Sequence, residues 1–401
     1  MSENLANYRY VKIAQSLKEQ GLYPFFRAIQ KTTGGTVTVK EKKQVMIGSN
    51  NYLGMTHHPY VMEKAIQSIA EFGTGCTGSR FLNGNLEIHE QLEDNLAKFV
   101  GKEKALVFAT GMQVNLGVIS CLCGPRDCLL SDSENHASIV DSTRLAMGTT
   151  FKYRHNDMAN LEELLKETTV KYKNVFIVTD GVFSMTGELA PLKEITALAK
   201  KYDAYVYVDD AHGTGVLGHR GRGTADHFNL TDEVDLIMGT FSKSFATVGG
   251  FVAGSEELIN YIKHSARSFM FSAAMPPSSV GTVQAVLDLI NDSNSFHEKL
   301  WANVAFMQEG LKDLGFYTYN SSTPIIPILV GDDIKAMMVT RYLEEHGVFA
   351  TPVISPAVPK GEALIRTSYM ASHSLEDLEY CLKIFKLVAD EFDLPRTKIL
   401  H

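Results

Sequence analysis

The sequence predicts an α/β protein built on a largely parallel sheet. Short β-branched runs alternate with longer segments of helical period along most of the chain. Four of those runs are continuously apolar and end in a polar residue: ALVFAT (Ala105–Thr110), VFIVTD (Val175–Asp180), AYVYVD (Ala204–Asp209) and DLIMGT (Asp235–Thr240). A strand covered on both faces reads this way, and its polar end marks the carboxyl edge of the sheet. The length of 401 residues, at about 150 per domain, leaves room for two or three domains.

Taken in order, MSENLANYRYVKIAQSLKEQ lacks the apolar centre of a signal peptide and reads as an amphipathic helix. In EIHEQLEDNLAKFVG, Ile88, Leu92, Leu96, Phe99 and Val100 recur at helical spacing, with Gly101 as the stop. LKEITALAKKYD is a second such helix, with Pro191 near its start and AYVYVD after it. From about Asn291 the pattern changes to helix (SFHEKLWANVAFMQEGLKDLG), strand (PIIPILV), helix (IKAMMVTRYLEEHG), strand and a final helix (SLEDLEYCLKIFKLVADEF), with the prolines of TPVISPAVPKG between. The expected organisation is an amino-terminal arm (1–55), a large domain (56–290) and a smaller carboxyl-terminal α+β domain (291–401). Small ligands are expected in clefts and at the carboxyl ends of parallel strands.

Composition narrows the class. Lys+Arg 38 against Asp+Glu 46 gives a net charge of −8, so no basic field invites nucleic acid. The most apolar stretch, Ala105 to Pro125, is interrupted by Gln113, Asn115 and several glycines, so no membrane span is expected. Five cysteines are too few and odd for a disulfide framework. Cys121, Cys123 and Cys128 cluster but lack a fourth ligand at zinc spacing, so they read as buried thiols and no metal is expected. The glycine-rich GHRGRG reads as a surface turn. A cytoplasmic enzyme fits these features.

Chemistry-bearing residues collect at the strand ends. Asp209, Asp210 and His212 follow one buried strand, and Thr240, Ser242 and Lys243 follow another. An aldehyde cofactor held as an imine needs one desolvated lysine amine. A pyridine-ring electron sink needs a carboxylate on its ring nitrogen, which Asp209 supplies. A phosphate tail needs hydroxyls and free N–H groups at a helix start. Thr240, Ser242 and the turn at Gly111 and Met112, between ALVFAT and a helix, provide them. Together these are the parts of a pyridoxal phosphate (PLP) site. Asp210 reads as structural.

The chain also resembles the α-oxoamine synthases, a branch of the fold-type-I PLP-dependent transferases. The resemblance runs from GLYPFFRAIQ at Gly21 to IRTSYMASHS at Ile365, through SNNYLG, GTGCTGSRFLNG, SENHASIVD, TDGVFSMTG, VDDAHGTGVLG, GTFSKS and SPAVPKGEALIRTS. It implies a large domain with a mostly parallel seven-stranded sheet, a small α+β domain and a homodimer with the active site at the interface. GTGCTGSRFLNG, and Ser242 before the lysine, are most similar to the branch that condenses L-serine with a long-chain acyl thioester. Relatives making aminolevulinate, aminooxononanoate or 2-amino-3-ketobutyrate usually carry glycine or alanine at that serine.

By that resemblance Lys243 would bind the cofactor and then remove the Cα proton, Asp209 would pair with the ring nitrogen and His212 with the ring hydroxyl. His136 would stack on the ring and touch substrate, and Ser184 would support the hydroxyl side. Gly111, Met112, Thr240 and Ser242 would hold the phosphate, with Ser272 arriving from the partner subunit. Arg366 would clamp the substrate carboxylate through its planar fork, and Asn50 is a further substrate contact. The implied reaction joins L-serine to palmitoyl-CoA, or to an acyl carrier protein thioester, with loss of CO2, giving 3-ketodihydrosphingosine. Membrane contact would be peripheral at most. GLYPFF and SFMFSAAMPP are candidate walls for the acyl chain.

Each assignment has a structural alternative. His136 after Asn135 suits a helix cap, His212 a loop bridge, Ser184 a turn and Arg366 a strand-end ion pair. Rival functions are the same chemistry on glycine or alanine with another thioester, an aminotransferase, and a non-catalytic subunit. The last would be expected to lack the imine lysine.

Overall fold

The computed structural model describes residues 9–319 and 321–396, which fall into two compact units. The first comprises the described residues of Met1–Ser49, Met185–Gly187 and Leu300–His401. The second comprises Asn50–Ser184 and Glu188–Lys299.

In the first unit, α1 (Arg9–Glu19) covers the later part of the segment read as an amphipathic helix; the first eight residues of that segment lie outside the described residues. β1 (Lys31–Thr33), β2 (Thr36–Val39) and β3 (Lys42–Met46) follow as an antiparallel meander.

The second unit carries α2 (Pro59–Phe72), α3 (Glu87–Val100) and the site-bearing elements. These are β4 (Lys104–Phe108), α4 (Gly111–Leu122), β5 (Cys128–Asp132), α5 (Ala137–Leu145), β6 (Thr149–Tyr153), α6 (Met158–Thr168), β7 (Val175–Asp180), α7 (Leu192–Tyr202), β8 (Tyr205–Asp209), β9 (Leu236–Thr240) and β10 (Gly250–Gly254). Gly101 caps α3 in the left-handed region at φ 74°, as its place after the apolar period requires.

The seven strands order β4-β10-β9-β8-β7-β5-β6, and only β10 runs antiparallel to its neighbours. The mostly parallel seven-stranded sheet is therefore present, with the four apolar runs as β4, β7, β8 and β9. Alternation explains why those runs are continuous. Phe176, Val178, Tyr207 and Met238 pack with α4 residues on one face, while Val175, Ile177, Val208 and Ile237 pack with α6 and α7 residues on the other. Carboxyl ends are matched in register, with Asp180 opposite Asp209 and Asp209 opposite Met238.

The remaining strands belong to the first unit. They are β11 (Ile325–Gly331), β12 (Val348–Phe349), β13 (Thr351–Val353) and β14 (Ala363–Ser368). β12 joins the meander parallel to β3, and β11-β14-β13 form an antiparallel sheet. Cys123 and Cys128 are core residues of the second unit, and burial pushes their thiols up to about 12 and about 11. Among the described residues no helix is long and apolar enough to cross a membrane.

Candidate active site

At the carboxyl edge of the seven-stranded sheet lies a cavity of about 250 Å³, lined wholly by residues between Thr110 and Gly249. Gly111, Met112, His136, Ser184, Asp209, His212, Thr240, Ser242 and Lys243 all line it. Nine residues chosen at separate strand ends thus meet on one space, because the register brings those ends to one edge.

One wall is the start of α4. The Thr110 side chain caps this helix by accepting from Gln113 N at 3.1 Å. Thr240 Oγ1 lies 3.0 Å from Ser242 Oγ and donates to Gly249 O at 3.1 Å. A Cβ at Gly111 would meet Thr240 Oγ1 at 2.7 Å, so the helix start and the hydroxyl pair can approach only because residue 111 is glycine. A helix N-terminus beside two hydroxyls is a cradle for a phosphate.

Asp209 lines the same cavity and is buried at 4% exposure. Its Oδ1 accepts from Ala211 N at 3.0 Å and its Oδ2 from Asn115 Nδ2 at 2.7 Å. Its register partner Asp180 also lines the cavity, and Asp180 Oδ2 accepts from His136 N at 2.9 Å. Burial, with the Asp209 charge beside it, raises the Asp180 carboxyl well above the usual range.

His136 caps α5, its Nδ1 accepting from Ser138 N at 3.2 Å, and its side chain lines the cavity as well. One residue thus both caps the helix and lines the cavity. Desolvation lowers its pKa; the Asp209 charge opposes this and Lys243 adds to it. His212 is buried, with Nδ1 2.7 Å from Tyr52 Oη. Tyr52 also donates to Asn50 Oδ1 at 3.3 Å.

Asp210 turns away from this space. It accepts from Thr224 N at 2.8 Å and from Thr214 Oγ1 at 3.3 Å, and burial raises it to about 7. A Cβ at Gly223 would meet Asp210 Oδ2 at 2.0 Å, so GHRGRG is a turn pressed onto this carboxylate as well as a surface feature. Ser272 Oγ accepts from Gln113 Nε2 at 3.0 Å. Arg366 lies on β14 of the first unit, 8% exposed, with Nη1 donating to Ser368 Oγ at 3.3 Å.

Sequence reasoning missed Asp180, Asn115, Ser138 and Tyr52 as site residues. Asp180, Ser138 and Tyr52 stood inside quoted motifs. Asn115 carried a signal of its own, a polar residue on the apolar face of a buried helix.

Comparison with known proteins gives the family. Residues 42–385 match the aminotransferase class I and II family, and the chain belongs to it. It is 60% identical to the serine palmitoyltransferase of Bacteriovorax stolpii over 96% of this chain and 92% of that one. It is 43% identical to an 8-amino-7-oxononanoate synthase of Thermoanaerobacter pseudethanolicus over 95% and 96%. A solved serine palmitoyltransferase from S. paucimobilis, with PLP and myriocin bound, superposes with a TM-score of 0.94 at 31% identity, covering 98% of this chain and 99% of that one.

Proposed function

We propose that this chain catalyses the PLP-dependent, decarboxylating condensation of L-serine with palmitoyl-CoA, the reaction of a serine palmitoyltransferase. A carbon–carbon bond forms between serine Cα and the acyl carbonyl carbon, the thiol leaves, and CO2 departs from the former serine carboxyl. The product is 3-ketodihydrosphingosine. The observation that carries this reading is the convergence of Lys243, Asp209, His136 and His212 on one cavity with the hydroxyl-lined start of α4. The greater likeness to the serine-using relative than to the oxononanoate synthase supports serine over glycine or alanine.

The residues fit the cofactor: an amine, a doubly hydrogen-bonded carboxylate and a phosphate cradle line one space near the lower end of ligand-pocket sizes. When bound, PLP supplies an aldehyde carbon for an amine and a ring that withdraws electrons from Cα. Lys243 would hold it through Nζ and, once released, take the Cα proton at that nitrogen. Asp209 would keep the ring nitrogen protonated. His136 would lie against the ring, and His212 and Ser184 would hold its hydroxyl. Gly111, Met112, Thr240 and Ser242 would bind the phosphate, joined by the partner subunit's Ser272 in a homodimer.

Arg366 would clamp the substrate carboxylate, with Asn50 nearby on the substrate. The fixed direction of these groups matters because only a bond perpendicular to the ring plane is labilised. The reading also places the enzyme in the cytoplasm, with at most peripheral membrane contact and with coenzyme A as the thiol carrier.

The test is absorbance of the PLP-loaded protein titrated separately with L-serine, glycine and L-alanine, followed by thiol release on adding palmitoyl-CoA. Saturable change with serine and serine-dependent thiol release are expected. A response to glycine or alanine instead would overturn the substrate. Borohydride reduction and peptide mapping should place the covalent adduct on Lys243. An adduct elsewhere, or full turnover by Lys243→Ala, would overturn the lysine's role.

A further inference from the structure

Asn115 is fully buried in α4, four residues after the glycine of the phosphate cradle. All three of its polar bonds are short. Tyr207 Oη donates to its Oδ1 at 2.6 Å, and its Nδ2 donates to Asp209 Oδ2 and to Ser138 Oγ, each at 2.7 Å. Burial pushes the Tyr207 hydroxyl well above its ordinary range, so this phenol keeps the proton it donates.

The amide can sit only one way round. Turned over, its oxygen would face the oxygen of Asp209 and lose both donated bonds.

The direction of these bonds propagates. Ser138 Oγ accepts a hydrogen bond from Asn115 Nδ2, so its own hydrogen is left for His136 Nδ1 at 2.7 Å. The same nitrogen accepts from the backbone N–H of Ser138, which can only donate. Two donors on Nδ1 leave the ring proton of a neutral imidazole on Nε2. The charged and titratable groups around this ring are Asp209, Lys243 and the Asp180 carboxyl that accepts its backbone N–H.

We propose that Asn115 is a positioning residue whose amide ties Asp209 to the Ser138 hydroxyl and thereby makes that hydroxyl the second donor, beside the Ser138 backbone N–H, that holds His136 in the tautomer with its proton on Nε2. The assignment rests on the functional reading above for what the cavity binds. It makes His136 a hydrogen-bond donor to an oxygen of the substrate and leaves proton abstraction to Lys243.

The test is NMR titration of histidine-labelled, PLP-loaded protein, with the His136 signals assigned by their loss in His136→Phe. In the wild type Nδ1 should be unprotonated and Nε2 protonated at neutral pH. Ser138→Ala removes one donor to the neutral ring, so the His136 midpoint should rise by about 0.5 to 1 pH unit. Asn115→Leu should raise it similarly, because the serine hydroxyl is then free to accept instead. The double variant should shift no further than either single one, since both act through one proton.

Tyr207→Phe, which loosens the amide without emptying the core, should move the midpoint in the same direction and serves if Asn115→Leu does not fold. A wild-type ring protonated on Nδ1, unchanged midpoints, or additive shifts would overturn the proposal. If the wild type took up no PLP or ignored serine, the functional reading would fall, while the same titration on the purified protein would still decide the relay.

Discussion

Replacing Gly111 by alanine tests the phosphate cradle directly. The new Cβ would meet Thr240 Oγ1 at 2.7 Å, Thr240 Cβ at 3.1 Å and Met238 Cε at 3.2 Å. Thr240 has little room to yield, being 6% exposed and bonded to Gly249 O at 3.1 Å. The methyl must therefore push the hydroxyl pair aside or lift the first turn of α4, and either costs the bound phosphate at least one aimed donor. A hydrogen bond to a charged group contributes about 1.5–3 kcal/mol, which predicts a Kd for PLP about 10- to 150-fold weaker. Helix propensity works in the opposite direction, alanine being better than glycine by up to about 1 kcal/mol, so weaker binding would not reflect a weaker helix. The assay is spectrophotometric titration of PLP into the cofactor-free protein. A Kd within twofold of wild type would refute the cradle.

Two further perturbations address the frame around the site. Arg80 of GTGCTGSRFLNG is buried and donates to both oxygens of Glu93, at 2.7 and 3.0 Å, and Glu93 Oε1 also accepts from Val107 N of β4. Arg80→Met leaves that carboxylate buried without its cation and should cost about 3–5 kcal/mol in denaturant unfolding; a loss below about 1 kcal/mol would contradict this. His89 is fully buried, accepts from Leu86 N and donates to Met275 O, and burial lowers its pKa to about 4. The unfolded chain, with a pKa near 6.5, binds the proton first as pH falls, so stability present above about pH 6.5 should drop by on the order of 3 kcal/mol towards pH 4. Urea unfolding at two pH values should show a smaller drop for His89→Gln, and an identical drop would exclude His89 as its source.

What the sequence revealed follows from where burial leaves a mark. β7 is buried throughout and β8 after its first residue, so VFIV and YVYV are unbroken apolar runs whose polar ends stand out. β6 is partly exposed and reads TTFKY, β10 is GFVAG between glycines, and every residue of β1 is exposed, so none has a legible period. The site divides in the same way. Residues at strand ends were legible because a polar group there interrupts an apolar run. Asn115 was visible too, but only as a break in the most apolar stretch. Its meaning depended on Tyr207, Ser138 and Asp209, residues 92, 23 and 94 positions away.

The pairing of Asp180 with Asp209 shows how register becomes chemistry. Parallel pairing of β7 and β8 places two carboxyls side by side at a buried edge, where two like charges oppose each other's ionisation. Their partners are unequal. Asp209 receives N–H donors on both oxygens, from Ala211 and Asn115, whereas Asp180 Oδ2 receives the one from His136. Asp180 is the carboxyl driven upward, by burial first and the neighbouring Asp209 charge second, which favours its neutral form at this edge. Under the proposed function Asp209 is the carboxylate that would meet the ring nitrogen, and the amide that bonds it also bonds the Ser138 hydroxyl beside His136. Loss of Asn115 would therefore disturb the Asp209 carboxylate and the His136 imidazole together, two groups that line one cavity, a coupling that pairwise contacts with the cavity do not reveal.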